Sequence, residues 1–464
     1  MRLGRVRHVH FVGIGGSGMS GIAEVLLNLG YRVSGSDARP NEATERLARL
    51  GARVHIGHAE SQVEGADVVV VSSAIRPGNP EVVAAQRARI PVIPRAEMLG
   101  ELMRMKYAVA VSGSHGKTSV TAMLAQVLSR CGLDPTVVIG GRFGVLGSNA
   151  KLGRGELMVA EADESDGSFL RLFPTWAVVT CIDREHMDHY RDLSDLHDAF
   201  VQFLGRIPFY GAAVACLDDE GVQAILPRLD RRVVTYGLNP HADFRAGAIE
   251  VEGFRTRFTV QRGEEPPLPV VLQTPGRHQV RNALAALAVA DELGLSLRVA
   301  AAALEDFPGA DRRMQRLGER GGVLVVDDYG HHPREIVATL RALREAVGSR
   351  RLVVLFQPHR YTRTADLFDL FTRSFHEADV LVLTDIYPAG EPPIPGVDAQ
   401  RLAEAIAERG HRDVSWAGDL ERGVARVLEC LRPGDVVLTL GAGTVGGAGR
   451  AILDALPSGK EVRP

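Results

Sequence analysis

Tyr107-Ala108-Val109-Ala110-Val111-Ser112-Gly113-Ser114-His115-Gly116-Lys117-Thr118-Ser119 is the stretch on which the fold turns. The apolar, β-branched run at 107–111 reads as a strand, the polar glycine-bearing residues as a loop, and the pattern over 118–130 as a helix. A strand that enters a helix through such a loop is the opening unit of a parallel α/β sheet. The loop is a shortened phosphate-binding loop, because the standard spacing would put a glycine where Val111 stands. Its chemistry still reads clearly. The backbone from Gly113, Ser114, His115 and Gly116 to Ser119 can cradle the phosphates of ATP, Lys117 reaches the β and γ oxygens, and Thr118 can ligate Mg2+. Lysine occurs only at 106, 117, 151 and 460, so one kept here points to a place where a planar guanidinium would not serve. Taken alone, Lys117 would read as a solvated helix start.

Upstream, a strand at 8–12 runs into Gly13-Ile14-Gly15-Gly16-Ser17-Gly18 and then a helix over about 19–29. This is a G-x-G-x-x-G loop in the right place, where glycines let backbone N–H groups approach a pyrophosphate. Asp37 ends the next strand, where a ribose hydroxyl would lie. NAD and a UDP-sugar fit equally well, and the plainer alternative is a turn that packs helix on strand. Further strands are expected at 31–34 and 67–72.

Downstream, a strand at 157–160 delivers Glu161-Ala162-Asp163-Glu164-Ser165-Asp166. Four acids after a buried strand call for a positive neighbour, either Mg2+ or the N-terminal dipole of a following helix. The next strand, 177–182, ends in Asp183-Arg184-Glu185-His186-Met187-Asp188, where His186 either pairs with an acid or binds metal. A polar, proline-broken stretch at 261–276 precedes an alanine-rich helix expected from about Asn282. Phe307-Pro308-Gly309-Ala310 reads as a linker, and strands are expected at 323–326, 351–356, 380–384 and 436–440.

The resulting fold class is α/β with three consecutive domains: Rossmann-like at 1–105, P-loop ATPase-like at 106–311 and Rossmann-like at 312–464. A length of 464 residues agrees with about three domains. The formal net charge of -3 gives no argument for nucleic acid or an acidic membrane as partner. No apolar run reaches the ~18 residues of a membrane span, and no signal-peptide core follows the basic start. A cytoplasmic protein with no stable membrane association is expected. Cys131, Cys181, Cys216 and Cys430 are too scattered to suggest disulfides or a thiolate metal site.

Together these stretches resemble the Mur ligases over nearly the whole chain. The resemblance is carried by HFVGIGGSGM at 10–19, the loop at 113–118, EADESDGSFL at 161–170, His186-Met187-Asp188, Gly276-Arg277-His278 and Asn282. It continues in DDYGHHP at 327–333 and QPHRYTR at 357–363, both more specific than either glycine loop. It implies an ATP- and Mg2+-dependent ligase that joins L-alanine to the lactyl carboxylate of UDP-N-acetylmuramate through an acyl phosphate, working as a monomer or homodimer. By matched position it implies that Gly13, Gly15, Gly16, Ser17, Gly18, Met19, Asp37 and Ser73 hold the UDP-sugar. Thr118 and Glu161 would ligate one Mg2+ and His186 a second. His278 and Asn282 would contact adenine, with Arg313 and Asp328 closing over the nucleotide. Tyr329, His331, His359, Arg360 and Arg363 would line the meeting point of acyl phosphate and alanine.

The chain departs from the family pattern in two places. Ser114 replaces the usual threonine, and Cys181-Ile182-Asp183-Arg184-Glu185 replaces N-I-E-A-D. The carbamylated lysine of several relatives has no counterpart, since no lysine lies between 151 and 460. Rival readings are a ligase adding a tripeptide to the same sugar nucleotide, an NAD-dependent dehydrogenase and a P-loop ATPase. The intact run Gly15-Gly16-Ser17-Gly18-Met19 favours the alanine enzyme over the first. The P-loop and acid cluster are unexplained by the second, and the first glycine loop is surplus to the third.

Overall fold

The computed structural model describes residues 3–72, 74–143, 148–187 and 189–457, with backbone alone at 17, 140–143, 148 and 149. Ser73 and Asp188 lie outside the described residues.

The first sheet comprises β1 (His8–Val12), β2 (Arg32–Asp37), β3 (Arg53–Ile56), β4 (Val68–Val71) and β5 (Val92–Pro94), parallel throughout in the order β3-β2-β1-β4-β5. The helices α1 (Ser17–Asn28), α2 (Glu42–Arg49), α3 (Pro80–Arg87) and α4 (Arg95–Met103) connect it. The strand order reverses between β1 and β4, which opens a crevice at the carboxyl ends of the strands, where the glycine loop leaves β1.

The second sheet contains β6 (Tyr107–Ser112), β7 (Thr136–Phe143), β8 (Ser148–Lys151), β9 (Leu157–Glu161), β10 (Trp176–Val179), β11 (Ala212–Cys216), β12 (Val233–Gly237), β13 (Phe244–Glu252), β14 (Arg255–Arg262) and β15 (Leu268–Leu272). Its order is β15-β14-β13-β12-β11-β10-β6-β9-β7-β8. Its helices are α5 (Lys117–Arg130), α6 (Leu193–Leu204), α7 (Glu220–Ile225), α8 (Arg277–Glu292) and α9 (Leu297–Glu305). Strand β6 is central, with β9 and β10 parallel on its two sides. Three neighbouring strands therefore deliver the P-loop, Glu161 and the 180–183 segment at one sheet end.

The third sheet runs β16 (Gln315–Arg320), β17 (Val323–Asp328), β21 (Val436–Leu440), β18 (Leu352–Phe356), β19 (Val380–Leu383), β20 (Val414–Trp416). Only the edge strand β16 is antiparallel. Helices α10 (Pro333–Val347) and α11 (Tyr361–Asp366) leave the carboxyl ends of β17 and β18.

The chain packs into two compact units, one of residues 1–248, 258–270 and 281–307, the other of 249–257, 271–280 and 308–464. Within the first, Phe11, Ile22 and Leu26 share one apolar core with Ala110, Val138, Phe169 and Phe200. Helix α1 lies against β7 and β8, so the first two sheets are bonded through one hydrophobic interior.

One stretch gains a strand, and one expectation needs correction. The proline-broken stretch 261–276 contains β15, whose Pro269 is tolerated because the strand is at the sheet edge and need not donate to a neighbour. The alanine-rich helix begins at Arg277, five residues before Asn282, directly after Gly276, whose left-handed backbone (φ 108°) turns the chain into it. Among the described residues no helix is long and apolar enough to cross a membrane.

Candidate active site

The P-loop is shaped by two glycines with left-handed backbone, Gly113 (φ 124°) and Gly116 (φ 88°). A Cβ on Gly113 would lie 2.8 Å from Cys181 O, and one on Gly116 2.9 Å from Asn282 Oδ1, so both the conformation and the close approach require glycine. Asn282, on α8, thereby sits against the loop. His278 is one turn earlier on the same helix, and the division between the two units falls between them. The 181–183 segment holds the loop from its other side. Ser114 N–H donates to Cys181 O (3.0 Å), His115 N–H to Cys181 Sγ (3.3 Å) and Asp183 N–H to Ser114 Oγ (2.8 Å). The residues that depart from the family pattern are thus bonded to the loop, two of these bonds through Cys181 and one through the Asp183 backbone. Helices α2, α6 and α7 are capped by Asn41, Asp192 and Asp219, whereas α5 begins on Gly116 with no side-chain cap. Its first-turn N–H groups, with Thr118 and Ser119 among them, are left for an anionic ligand.

Lys117 Nζ donates to Gly113 O (2.6 Å) and to both oxygens of Glu164 (2.9 and 3.1 Å). Burial opposes the ammonium charge, but Glu164 and Asp163 outweigh it and hold the pKa above the usual lysine value. The positive neighbour that the acid cluster requires is therefore partly Lys117. The cluster leads into a 3-10 turn, Ser168–Arg171, not an α-helix, which removes the helix-dipole reading. Asp163 and Asp166 instead accept the N–H groups of Ser165 and Ser168. His186, at a left-handed φ of 61°, reaches to 3.8 Å from Glu164, so it shares that carboxylate with Lys117. A non-glycine residue in this region costs on the order of 1 kcal/mol and persists only where its surroundings hold it. Glu161 ends β9 in register with Val111, beside the start of the loop. Thr118 at the head of α5, Glu161 at the end of β9 and His186 beyond β10 offer a hydroxyl, a carboxylate and an imidazole, of which the two oxygen donors suit Mg2+.

At the first glycine loop, Gly13 and Ile14 N–H donate to Ser36 O (2.8 and 2.9 Å) and Gly15 N–H donates to Asp37 Oδ2 (2.9 Å). Asp37 thus fixes the loop itself with one oxygen. Ser36 Oγ donates to Glu81, which is wholly buried and also bonded to His10 and His58. Helix α1 starts on Gly16, also without a side-chain cap. Gly18 is kept bare by Arg95, whose Nη1 lies 2.6 Å from where a Cβ would stand. Met19 is a core side chain, 1% exposed. Nothing in the sequence marked Arg95, which the carboxyl end of β5 delivers beside the loop as the first residue of α4.

In the third sheet's unit, Asp328 is buried and already engaged. It accepts the N–H groups of Met314 (2.7 Å) and Gly330 (2.8 Å) and the Thr339 hydroxyl (3.2 Å). Burial pushes its pKa up to about 6. Arg313 lies over the Tyr329 ring, 5.1 Å from its centroid, and 3.7 Å from Glu335. Tyr329, His331 and His359 follow one another at ring separations of 5.4 and 5.7 Å. Arg363 Nη1 is 3.2 Å from His359 Nδ1. Burial lowers the His331 pKa to about 3, with Arg363 adding to it against Glu335. Burial, Arg363 and Arg360 lower that of His359 to about 4. The structure therefore brings Tyr329, His331, His359 and Arg363 together, while Arg360 lies toward Glu391 and Asp328 is held among backbone donors. It adds Tyr387, stacked on His359, and Glu391, bonded to Thr362, neither of which carried a signal in the sequence.

Residues 8–107 match the family described as "Mur ligase family, catalytic domain", 111–290 the "Mur ligase middle domain" and 312–443 the "Mur ligase, glutamate ligase domain". The chain belongs to the Mur ligase family. Curated relatives named UDP-N-acetylmuramate–L-alanine ligase include those of Anaeromyxobacter sp. (strain Fw109-5), 57% identical over 97% of this chain and 98% of the relative. That of Geobacter sp. (strain M21) is 54% identical over 99% of both. The crystal structure of a UDP-N-acetylmuramate–alanine ligase from Thermotoga maritima superposes with a TM-score of 0.80 at 28% identity, covering 96% of this chain and 98% of that one. The three-domain α/β architecture of the Mur ligases is thereby the architecture of this chain.

Proposed function

We infer that this Mur ligase joins L-alanine to the lactyl carboxylate of UDP-N-acetylmuramate, converting ATP to ADP and phosphate, as a cytoplasmic step in peptidoglycan precursor synthesis. The observation that carries the reading is the 54–57% identity, over nearly the whole chain, to relatives bearing that name. The division of labour follows the sheets: 1–105 for the UDP-sugar, 106–311 for ATP, 312–464 for the amino acid and for closing over the nucleotide.

A carboxylate is a poor electrophile, and phosphorylating it makes an acyl phosphate that an amine can attack. Lys117, already charged and held by Gly113 and Glu164, would meet the transferring phosphoryl group, and the uncapped first turn of α5 would bind its oxygens. Mg2+ on Thr118 and Glu161, with a second ion on His186, would neutralise phosphate charge. Asn282 and His278 would take the adenine, and Arg313 and Asp328 would close over it. Arg360 and Arg363 would stabilise the oxyanion formed when the amine adds, with Tyr329, His331 and His359 shaping the pocket. The test is ATP hydrolysis by the full chain with mass detection of product. It should require both UDP-N-acetylmuramate and L-alanine. Product with a tripeptide in place of alanine, and none with alanine, would overturn the assignment in favour of the recycling ligase.

A further inference from the structure

A second segment of the same unit grips the loop after β18. Tyr387 N–H donates to Pro358 O and Arg360 N–H donates to Tyr387 O, both at 2.8 Å, so His359 and Tyr387 pair as an isolated bridge. Their rings stack with centroids 5.5 Å apart and planes 16° from parallel. Four residues on, Glu391 accepts the Thr362 hydroxyl on Oε1 (2.9 Å) and the Thr362 N–H on Oε2 (3.1 Å), while Arg360 Nη1 lies 3.7 Å from Oε1. Ala389 and Gly390, at φ 49° and 89°, turn the segment so that both its ends meet the same loop.

We propose that residues 387–391 are the positioning strap of the amino-acid site, Tyr387 setting the plane of the His359 ring and Glu391 the direction of the Arg360 guanidinium. This rests on the reading above, in which His359 shapes the amino-acid pocket and Arg360 stabilises the oxyanion formed there. Arg360 has a φ of 71°, a conformation that L side chains rarely adopt and that only its surroundings can maintain. The strap supplies that restraint on both sides, through the carbonyl of Tyr387 before it and the carboxylate of Glu391 on Thr362 after it. The Arg360 side chain is 46% exposed, against 19% for Glu391. A half-exposed arginine has many rotamers, and a fixed carboxylate beside it narrows them before substrate arrives. Tyr387 offers His359 a face rather than a hydrogen bond, so the ring plane is fixed while Nδ1 stays beside Arg363. Neither strap residue is assigned contact with reacting atoms, so both are positioning residues.

Steady-state kinetics of the full chain test this. Glu391→Gln keeps volume and an acceptor but removes the charge. It should lower kcat about tenfold, with all three KM values and Tm little changed, because an arginine that steadies the oxyanion acts in the transition state, and Glu391→Asp should regain part of the loss. Tyr387→Leu should raise KM for L-alanine, since the ring it seats shapes the pocket, and Tyr387→Phe, which keeps the stacked face, should regain most of it. A kcat within about twofold of the parent in Glu391→Gln, an unchanged KM for L-alanine in Tyr387→Leu, or a loss of kcat in step with a fall in Tm, overturns the strap. Arg360→Ala separates the two layers. If it lowers kcat while Glu391→Gln does not, the strap fails alone. If it leaves kcat unchanged, the oxyanion reading of Arg360 fails and takes the strap with it.

Discussion

Lys117 shows how a single side chain can be specified beyond its charge. Four oxygens, Gly113 O, the two of Glu164 and, at 3.5 Å, Ser114 O, surround a compact ammonium at the head of α5. A guanidinium is longer and planar, and it would have to displace one of them. Lys117→Arg should therefore lose at least about 100-fold in kcat/KM, nearly as much as Lys117→Ala, which corresponds to roughly 3 kcal/mol of transition-state stabilisation. Turnover near the parent rate in Lys117→Arg would refute this role. The scarcity of lysine in the sequence singles Lys117 out. It did not show which of the four nearby acids would face it, since Glu164 is 47 residues away and reaches Lys117 only because β9 pairs with β6.

At the scale of elements, the ends of β9 and of β17 and β18 carry separable predictions. Glu161 closes β9 beside the P-loop, whereas the sugar nucleotide is assigned to β1 and its loop. Glu161→Ala should raise the Mg2+ concentration needed for half-maximal activity and leave UDP-N-acetylmuramate affinity unchanged. An unaltered Mg2+ requirement would remove Glu161 from the metal site. The loops after β17 and β18 hold His331 and His359, with pKa values lowered to about 3 and about 4. Each binds its proton less readily folded than unfolded. Stability is thus intact above the ordinary histidine value near 6.5 and falls as pH drops from there toward 4. Asp328 works in the opposite sense, because a carboxyl raised to about 6 gains stability as pH falls through 6 toward 4. Two losses against one gain leave a net acid lability. His331→Gln should spare about 2 kcal/mol of the stability lost between about pH 6.5 and 4.5, read from urea unfolding at both pH values. An equal acid loss in parent and variant would show that His331 is not held neutral.

For the whole molecule, the question left open by G-x-G-x-x-G is which dinucleotide-like ligand it takes. The loop offers backbone donors only, and Asp37 Oδ2 is already bonded to Gly15 N–H, so neither discriminates. An ATP loop and an acid cluster in the next sheet call for an anchored second substrate rather than a hydride acceptor. Calorimetric titration should show UDP and UDP-N-acetylmuramate binding and NAD not binding. Tight NAD binding with none for UDP would overturn the ligase reading. The titration belongs on the full chain, because the core that α1 shares with β7 and β8 would be exposed in a 1–105 fragment.

What the sequence by itself determined is the local grammar: strands that end in glycine loops, helices that follow them, and the motifs that sit at those junctions. These depend on residues within about one turn or one strand of each other, where apolar periodicity and glycine conformation are strong signals. Only the tertiary structure decided the partners. The pairing of Lys117 with Glu164, the strap of 387–391 on 357–363, the hold of Arg312 on Gly441 O across 129 residues, and the edge strands β15 and β16 all rest on contacts between segments distant in the chain. No local period records such contacts, because a carboxylate or an edge strand reads the same in sequence whichever neighbour the packed sheets bring to it.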